Sequence, residues 1–278
     1  MNFPKIIWMF WNEGEDRAPP LVKLCIRSWR TRNPGWEVRV VDMESYSKFC
    51  DLADCVEVSR SDISIVKFSD LLRLRLLSCT GGVWADATLF CVQPLDQWLS
   101  MPPVNGFFAF RDPGVDRLMD VWFMASVQSG MIISELELQH RRLYTENIYS
   151  RQHTWVKRFV LKWLRPVFSR NPNSAVIWVG WFFRRVIRVH PYYNLHYLFT
   201  KLVNSNRQFE HLWSGGQKME AHQCLILLRH EASNNIMGAL SLIEKRGAPV
   251  FKLNRKKKLN SEYWMAVLGA LENSLRSR

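Results

Sequence analysis

The chain has 278 residues, 47% of them hydrophobic and 23% charged, a balance that suits one large or two modest globular domains and excludes a small stapled scaffold or long disorder. At this size about three quarters of the unfolded surface is buried on folding, so a core forms without metal or disulfide support. A formal charge of +13 beside 13 Trp and 16 Phe points to an anionic partner: nucleic acid, a nucleotide or an acidic bilayer.

Apolar Ile6 to Trp11, after Lys5, is too short for a secretory core and lacks a small-residue cleavage pattern. It reads as a first buried strand, with a cytoplasmic location expected. Pro19-Pro20 precedes a helix through Leu24, Ile26 and Trp29, and Trp36 to Val41 is a second strand ending at Asp42, which makes a βαβ opening. Residues 62 to 79 form a long helix closed by Gly81-Gly82. Val83-Trp84 and Leu89 to Val92 are strands on either side of a polar interruption, and Asn105 to Phe110 is another, broken at Asp112-Pro113-Gly114. In an open α/β sheet ligands bind beyond the carboxyl ends of the strands, which draws attention to Asp42 and Asp86. From about residue 115 helices are expected, including Leu118 to Val127 and Ile132 to Tyr149. The longest later apolar run, Ala175 to Phe183, falls well short of the about 20 residues that a membrane span needs.

Cys25, Cys50, Cys55, Cys79, Cys91 and Cys224 form no CxxC pair and read mainly as buried small hydrophobes in a reducing compartment. Walker, dinucleotide and hydrolase-elbow glycine signatures are all absent, as is HExxH. The helix before Gly81 is more informative, because apolar residues surround it and its charges therefore need a reason to be there. At about 100° per residue Asp70 and Arg73 share one side, with Asp62 toward it, while Arg75 points elsewhere. Asp70 and Arg73 read as a buried ion pair, as a ligand-facing acid oriented by its arginine, or as both. In Gly81-Gly82-Val83-Trp84-Ala85-Asp86-Ala87-Thr88 the glycines permit close backbone approach, and Asp86 emerges from a strand with a hydroxyl two residues on. Asp86 alone reads as a turn residue or as a sparse site for a divalent ion on a diphosphate.

Taken in order, Pro4-Lys5-Ile6-Ile7-Trp8, Pro34-Gly35-Trp36-Glu37-Val38, Ser69-Asp70-Leu71-Leu72-Arg73, the Gly81 to Thr88 stretch and Pro94-Leu95-Asp96 resemble the capsular polysaccharide synthesis glycosyltransferases, relatives of DxD-containing sugar transferases. The resemblance is dense over residues 3 to 110 and thin beyond. It implies a GT-A-like α/β donor-binding core over 1–115, with a helical, basic-aromatic region over 116–278 that serves the acceptor or a membrane and completes the catalytic domain. It also implies a nucleotide-diphosphate-sugar donor, a glycan or lipid-linked acceptor, and retention of anomeric configuration. Asp70, Arg73 and Asp86 are then the catalytic set. Trp8, Asn12, Asp70, Asp86, Thr88 and His190 form the donor-binding set, and Mn²⁺ or Mg²⁺ sits on Asp86 and Thr88. Thr88 replaces the family's second acid and carries no charge. His190-Pro191-Tyr192-Tyr193 is placed to close the donor pocket or frame the acceptor, although His190 also reads as a structural histidine. Lys252, in Pro249 to Leu253, could meet phosphate or belong to a basic tail with Lys256, Lys257 and Lys258.

Between Asn147 and Phe209 there are 11 Lys or Arg and no acid, interleaved with Trp and Phe as suits peripheral contact with anionic lipid at the inner membrane face. Two rivals differ in class. A nucleic-acid-binding protein lacks a recognised motif here and leaves Asp86 without a role, so nucleic acid is an unexpected partner. An inactive scaffold on the transferase fold is suggested by Thr88.

Overall fold

The computed structural model describes residues 2–54, 64–145, 155–187, 191–254 and 261–276, with the backbone alone for 155–161. Asp62 and His190 lie outside the described residues, as do Cys55 and Lys256 to Lys258. The apolar run after Lys5 forms β1, Ile6–Phe10. Its alternation sends Trp8 and Phe10 into one core and Ile7 and Met9 into the other. Helix α1, Pro20–Arg32, starts on a proline whose fixed φ and missing N–H suit a first turn, and buries Leu21, Val22, Cys25, Ile26 and Trp29 at helical spacing. The chain returns as β2, Glu37–Val41, parallel to β1.

Helix α2, Ile65–Cys79, is capped by the Ser64 side chain, which accepts from the Lys67 amide. Past it, Gly81 and Gly82 take φ of +83° and +95°, the left-handed region that side chains disfavour. Close packing adds a second reason for glycine, since a Cβ at Gly82 would stand 2.7 Å from the Ile6 carbonyl oxygen. The tight passage delivers β3, Gly82–Ala85, parallel to β1 on the side away from β2.

Residues 118–127, expected as helix, form most of β6, Arg117–Ser126, antiparallel both to β3 and to β5, Phe107–Gly114. The strand is buried on both faces, so its sequence lacks the apolar-polar alternation that separates strand from helix. Strand β5 runs on through Asp112 to Gly114 with register shifts beside Arg111 instead of stopping at Phe110. The five-stranded sheet has the order β2-β1-β3-β6-β5, and β4, Leu89–Cys91, pairs with the late strand β7, Val250–Lys252, in a second small sheet. The expectation of helices alone from about residue 115 is therefore corrected. Strand β6 lies inside the main sheet, and β7 returns to complete the turn region after β3.

The remaining longer helices are α3 (Met131–Thr145), α4 (Trp155–Phe168), α5 (Asn194–Ser205), α6 (Arg207–Ser214), α7 (Ile226–Ala232), α8 (Ile236–Glu244) and α9 (Glu262–Arg276). One face of the sheet packs with α1, α7, α8 and α9. The other packs with α2, α3, α5 and α6, giving a three-layer mixed α/β arrangement. Among the described residues Cys25, Cys50, Cys91 and Cys224 are buried and free, whereas Cys79 is exposed. Among them, too, no helix is long and apolar enough to cross a membrane.

Candidate functional site

The parallel strands end together, placing Asn12, Asp42 and Asp86 just beyond β1, β2 and β3. Asp42 is absorbed by its own turn: its Oδ1 accepts from the Glu44 and Ser45 amides and from the Ser45 hydroxyl. That hydroxyl bond outweighs desolvation and holds the carboxyl below its ordinary value. Asp86 is placed differently. Its amide donates to the Trp122 carbonyl of β6 at 2.8 Å, so the side chain leaves the sheet edge toward α2.

Arg73 joins the two acids singled out from the sequence. Its Nη2 stands 3.4 Å from Asp70 Oδ1 and 3.4 Å from Asp86 Oδ1, and its guanidinium lies 5.0 Å from the Trp84 ring centre. The remaining donors bind inside the fold: Nε to the Ser69 carbonyl, Nη1 to the Val121 carbonyl, and Nη2 to Ser69 Oγ. Trp84 Nε1 donates to Asp86 Oδ1 at 3.0 Å. Lys252 Nζ, from the end of β7, donates to Asp86 Oδ2 at 2.6 Å. Burial by itself would raise the Asp86 carboxyl. Lys252 and Arg73, with the hydrogen bonds from Lys252 and Trp84, outweigh it and keep the group ionised below the usual carboxylate range.

A second layer orders this cluster. Buried Lys67 Nζ donates to Asn194 Oδ1 at 2.6 Å and to the carbonyls of Pro191 and Tyr192 at 3.3 and 3.4 Å, tying the segment before α5 to α2. Burial lowers its pKa, and Asp70 only partly offsets this. The Tyr192 phenol is pushed up by partial burial and by the negative potential of Asp70, Tyr193 and Asp86. Asp120 of β6 faces His196 Nε2 at 3.5 Å. It is held below its ordinary value because His196, the Val121 amide and Lys252 together outweigh its burial.

Asp70, Arg73 and Asp86 thus share one cluster. Asn12 is half-buried at the same sheet edge, and Thr88 is half-buried on the turn into β4. Trp8 is corrected. It is 1% exposed, donates from Nε1 to the Gly81 carbonyl, and packs edge-on to Phe49 under the Arg39 guanidinium. Those neighbours cover the face on which a base would have to stack. Sequence reasoning undervalued Lys252 and missed Lys67, Asp120 and His196. Lys67 carried the same signal as Asp70, a charge on a helix that is apolar all round. Asp120 stands out within the apolar run of β6 only once that run is known to be a strand.

The Mn²⁺ or Mg²⁺ expected on Asp86 and Thr88 would need several hard oxygen ligands. Asp86 offers one carboxylate whose two oxygens already receive Trp84, Arg73 and Lys252. Among the described residues no three His, Cys, Asp or Glu side chains converge as metal ligands.

Two acids and two cations, Asp70, Arg73, Asp86 and Lys252, thus gather at the carboxyl edge of a mixed α/β sheet, the edge beyond which ligands bind in open α/β folds. Residues 1–166 match the family model described as "Capsular polysaccharide synthesis protein", and the chain belongs to that family. It is similar to the putative glycosyltransferase HOC1 of Saccharomyces cerevisiae, with 28% identity over 104 residues, 36% of this chain and 26% of that protein. Over 153 residues it is 28% identical to the O-glycosyltransferase braB of Annulohypoxylon truncatum, covering 48% of this chain and 36% of that one. The initiation-specific alpha-1,6-mannosyltransferase of Candida albicans is 30% identical over 108 residues, 35% of this chain and 27% of that protein. The matches therefore span only 26–36% of these curated relatives. Among solved structures, the glycosyltransferase GlyE of Streptococcus pneumoniae aligns with a TM-score of 0.44 and 10% identity, over 99% of this chain and 63% of that one.

Proposed function

We propose that the chain is a glycosyltransferase of GT-A-like architecture that moves a sugar from a nucleotide-diphosphate donor to a glycan or lipid-linked acceptor in capsular or surface polysaccharide synthesis, with the anomeric configuration retained. The observation that carries this reading is the single Arg73 nitrogen shared by Asp70 and Asp86 at the carboxyl edge of the sheet. Family membership and the similarity to glycosyltransferases support it. Transfer requires stabilisation of the departing diphosphate and of an oxocarbenium-like carbon, with water kept out in favour of an acceptor hydroxyl. In this assignment Asp70 orients donor hydroxyls, Arg73 fixes both acids, and Asp86 organises the leaving-group side. A panel of nucleotide sugars, assayed for donor consumption with Mn²⁺, with Mg²⁺ and in EDTA against glycan and polyprenyl-phosphate-linked acceptors, is expected to reveal one selectively consumed donor. Consumption of none, together with no donor binding, would overturn the reading.

The acceptor side is proposed to lie against an anionic membrane. Trp163, Trp181 and Phe182 are 60%, 71% and 52% exposed, in a stretch that also carries Lys162, Arg165, Arg170, Arg184 and Arg185. Aromatic rings seat at a bilayer interface while each nearby basic side chain adds about 1 kcal/mol on anionic lipid. The chain is expected to float with phosphatidylglycerol-containing vesicles at low salt and not with phosphatidylcholine alone, and Trp181→Ser with Phe182→Ser is expected to abolish flotation. Equal recovery with both vesicle types, or none with either, would remove the membrane from the proposal.

A further inference from the structure

A divalent ion at a diphosphate keeps one or two carboxylates and completes its shell with phosphate oxygens. The turn after β3 presents one acid, Asp86, and the uncharged Thr88 two residues on. Asp86 is already within 3.4 Å of Arg73 and 2.6 Å of Lys252. A metal ion there would have to displace the ammonium or stand as a third cation on one carboxylate, and like charges repel strongly in a partly buried site. The side chains around Asp86 therefore do not fit a resident divalent cation.

The two cations already present are not equivalent. The Arg73 guanidinium is 5% exposed and directs its N–H groups to Ser69, Val121 and the two acids. It is a positioning group. Lys252 ends β7 at the rim of the cluster, its side chain 19% exposed, and an ammonium carries three donors. Asp86 Oδ2 takes one of them and fixes the direction of the others.

Resting on the transferase reading, we propose that Lys252 takes the place of the divalent cation: held by Asp86, its ammonium meets the donor diphosphate, and transfer proceeds without metal. In that step the bond from the anomeric carbon to the diphosphate oxygen breaks and carries its electron pair to the diphosphate. A new bond forms from the acceptor hydroxyl oxygen to the same carbon, and the hydroxyl proton leaves on the nucleoside diphosphate. Lys252 supplies hydrogen bonds and positive charge at the leaving oxygens.

The test is calorimetric titration of UDP, GDP, ADP and CDP into the full chain, in EDTA and then in Mn²⁺. One nucleotide is expected to bind in EDTA, with affinity changing less than about twofold on adding Mn²⁺. Lys252→Ala is expected to weaken it by about 10-fold to 100-fold, the range for losing a hydrogen bond to a charged group, and Lys252→Arg to recover part of the loss. Thermal melts establish that the variants are folded, and the comparison of EDTA with Mn²⁺ on the unaltered chain needs no variant. Binding that appears only with Mn²⁺, or binding in EDTA that Lys252→Ala leaves unchanged, overturns the role of Lys252 while the transferase reading stands. Failure of all four nucleotides under both conditions, with no donor consumed, overturns the transferase reading and this proposal with it.

Discussion

Arg73→Met is expected to cost about 3–5 kcal/mol of stability, the range for removing one partner of a buried charge pair and leaving the other uncompensated. The size follows from what Met cannot replace. Arg73 is 4% exposed, its Nη2 serves both Asp70 and Asp86, and its other donors satisfy the Ser69 and Val121 carbonyls, the second of these reaching from α2 to the middle of β6. Methionine of similar length fills the space but leaves Asp70 without its ion-pair partner and the Val121 carbonyl without the arginine donor, and the Asp86 carboxyl should rise as one of its two cations is lost. Arg73→Lys keeps the charge without the planar fork and is expected to recover only part of the stability. Urea unfolding monitored by tryptophan fluorescence measures both variants. A loss under about 1 kcal/mol for Arg73→Met would show that the acids are solvated in the folded chain and that Arg73 does not hold them together.

How much of this cluster was legible beforehand depended on how far apart its members lie in sequence. Helix α2 could be read because every side of it is apolar, so Asp70 and Arg73 had to face each other or a ligand, and an i,i+3 spacing brings them together on one face. Gly81-Gly82 could be read because a close turn leaves few alternatives to glycine. Lys252 could not be placed in the same way. It is brought to Asp86 by pairing of β4 with β7, a contact between strands of three residues each, and pairing over such a distance has no local periodicity to betray it. Strand β6 was hidden for a different reason. Buried on both faces, it carries an unbroken apolar pattern that suits a core helix equally well, and with it went Asp120 and the partner strand for β3. Trp8 shows the reverse limit. Alternation puts Trp8 and Phe10 on one face of β1, but whether that face met a ligand or a core depended on Arg39 of β2 and Phe49 beyond it.

The same geometry makes Asp86→Asn the variant with the largest expected effect on activity, a fall in donor turnover of about 100-fold to 1000-fold, the range for removing one preorganised electrostatic element at a reacting centre. Asparagine is nearly isosteric and can still accept from Trp84, so the sheet edge should keep its shape. What disappears is the negative charge that directs Lys252 and balances Arg73. An acid-side signature accompanies the loss. Burial would raise the Asp86 carboxyl, but Lys252 and Arg73 outweigh it and depress the folded value. A depressed carboxyl contributes stability that is fully present above its unfolded value of about 4 and is lost as pH falls through the folded one. Stability of the unaltered chain should therefore decline below about pH 4 more steeply than that of Asp86→Asn, which has no such proton to bind. Unfolding curves taken at a series of acid pH values, beside steady-state donor consumption at neutral pH, measure the two effects separately. Turnover by Asp86→Asn equal to that of the unaltered chain would take Asp86 out of the reaction, whatever the acid profile showed.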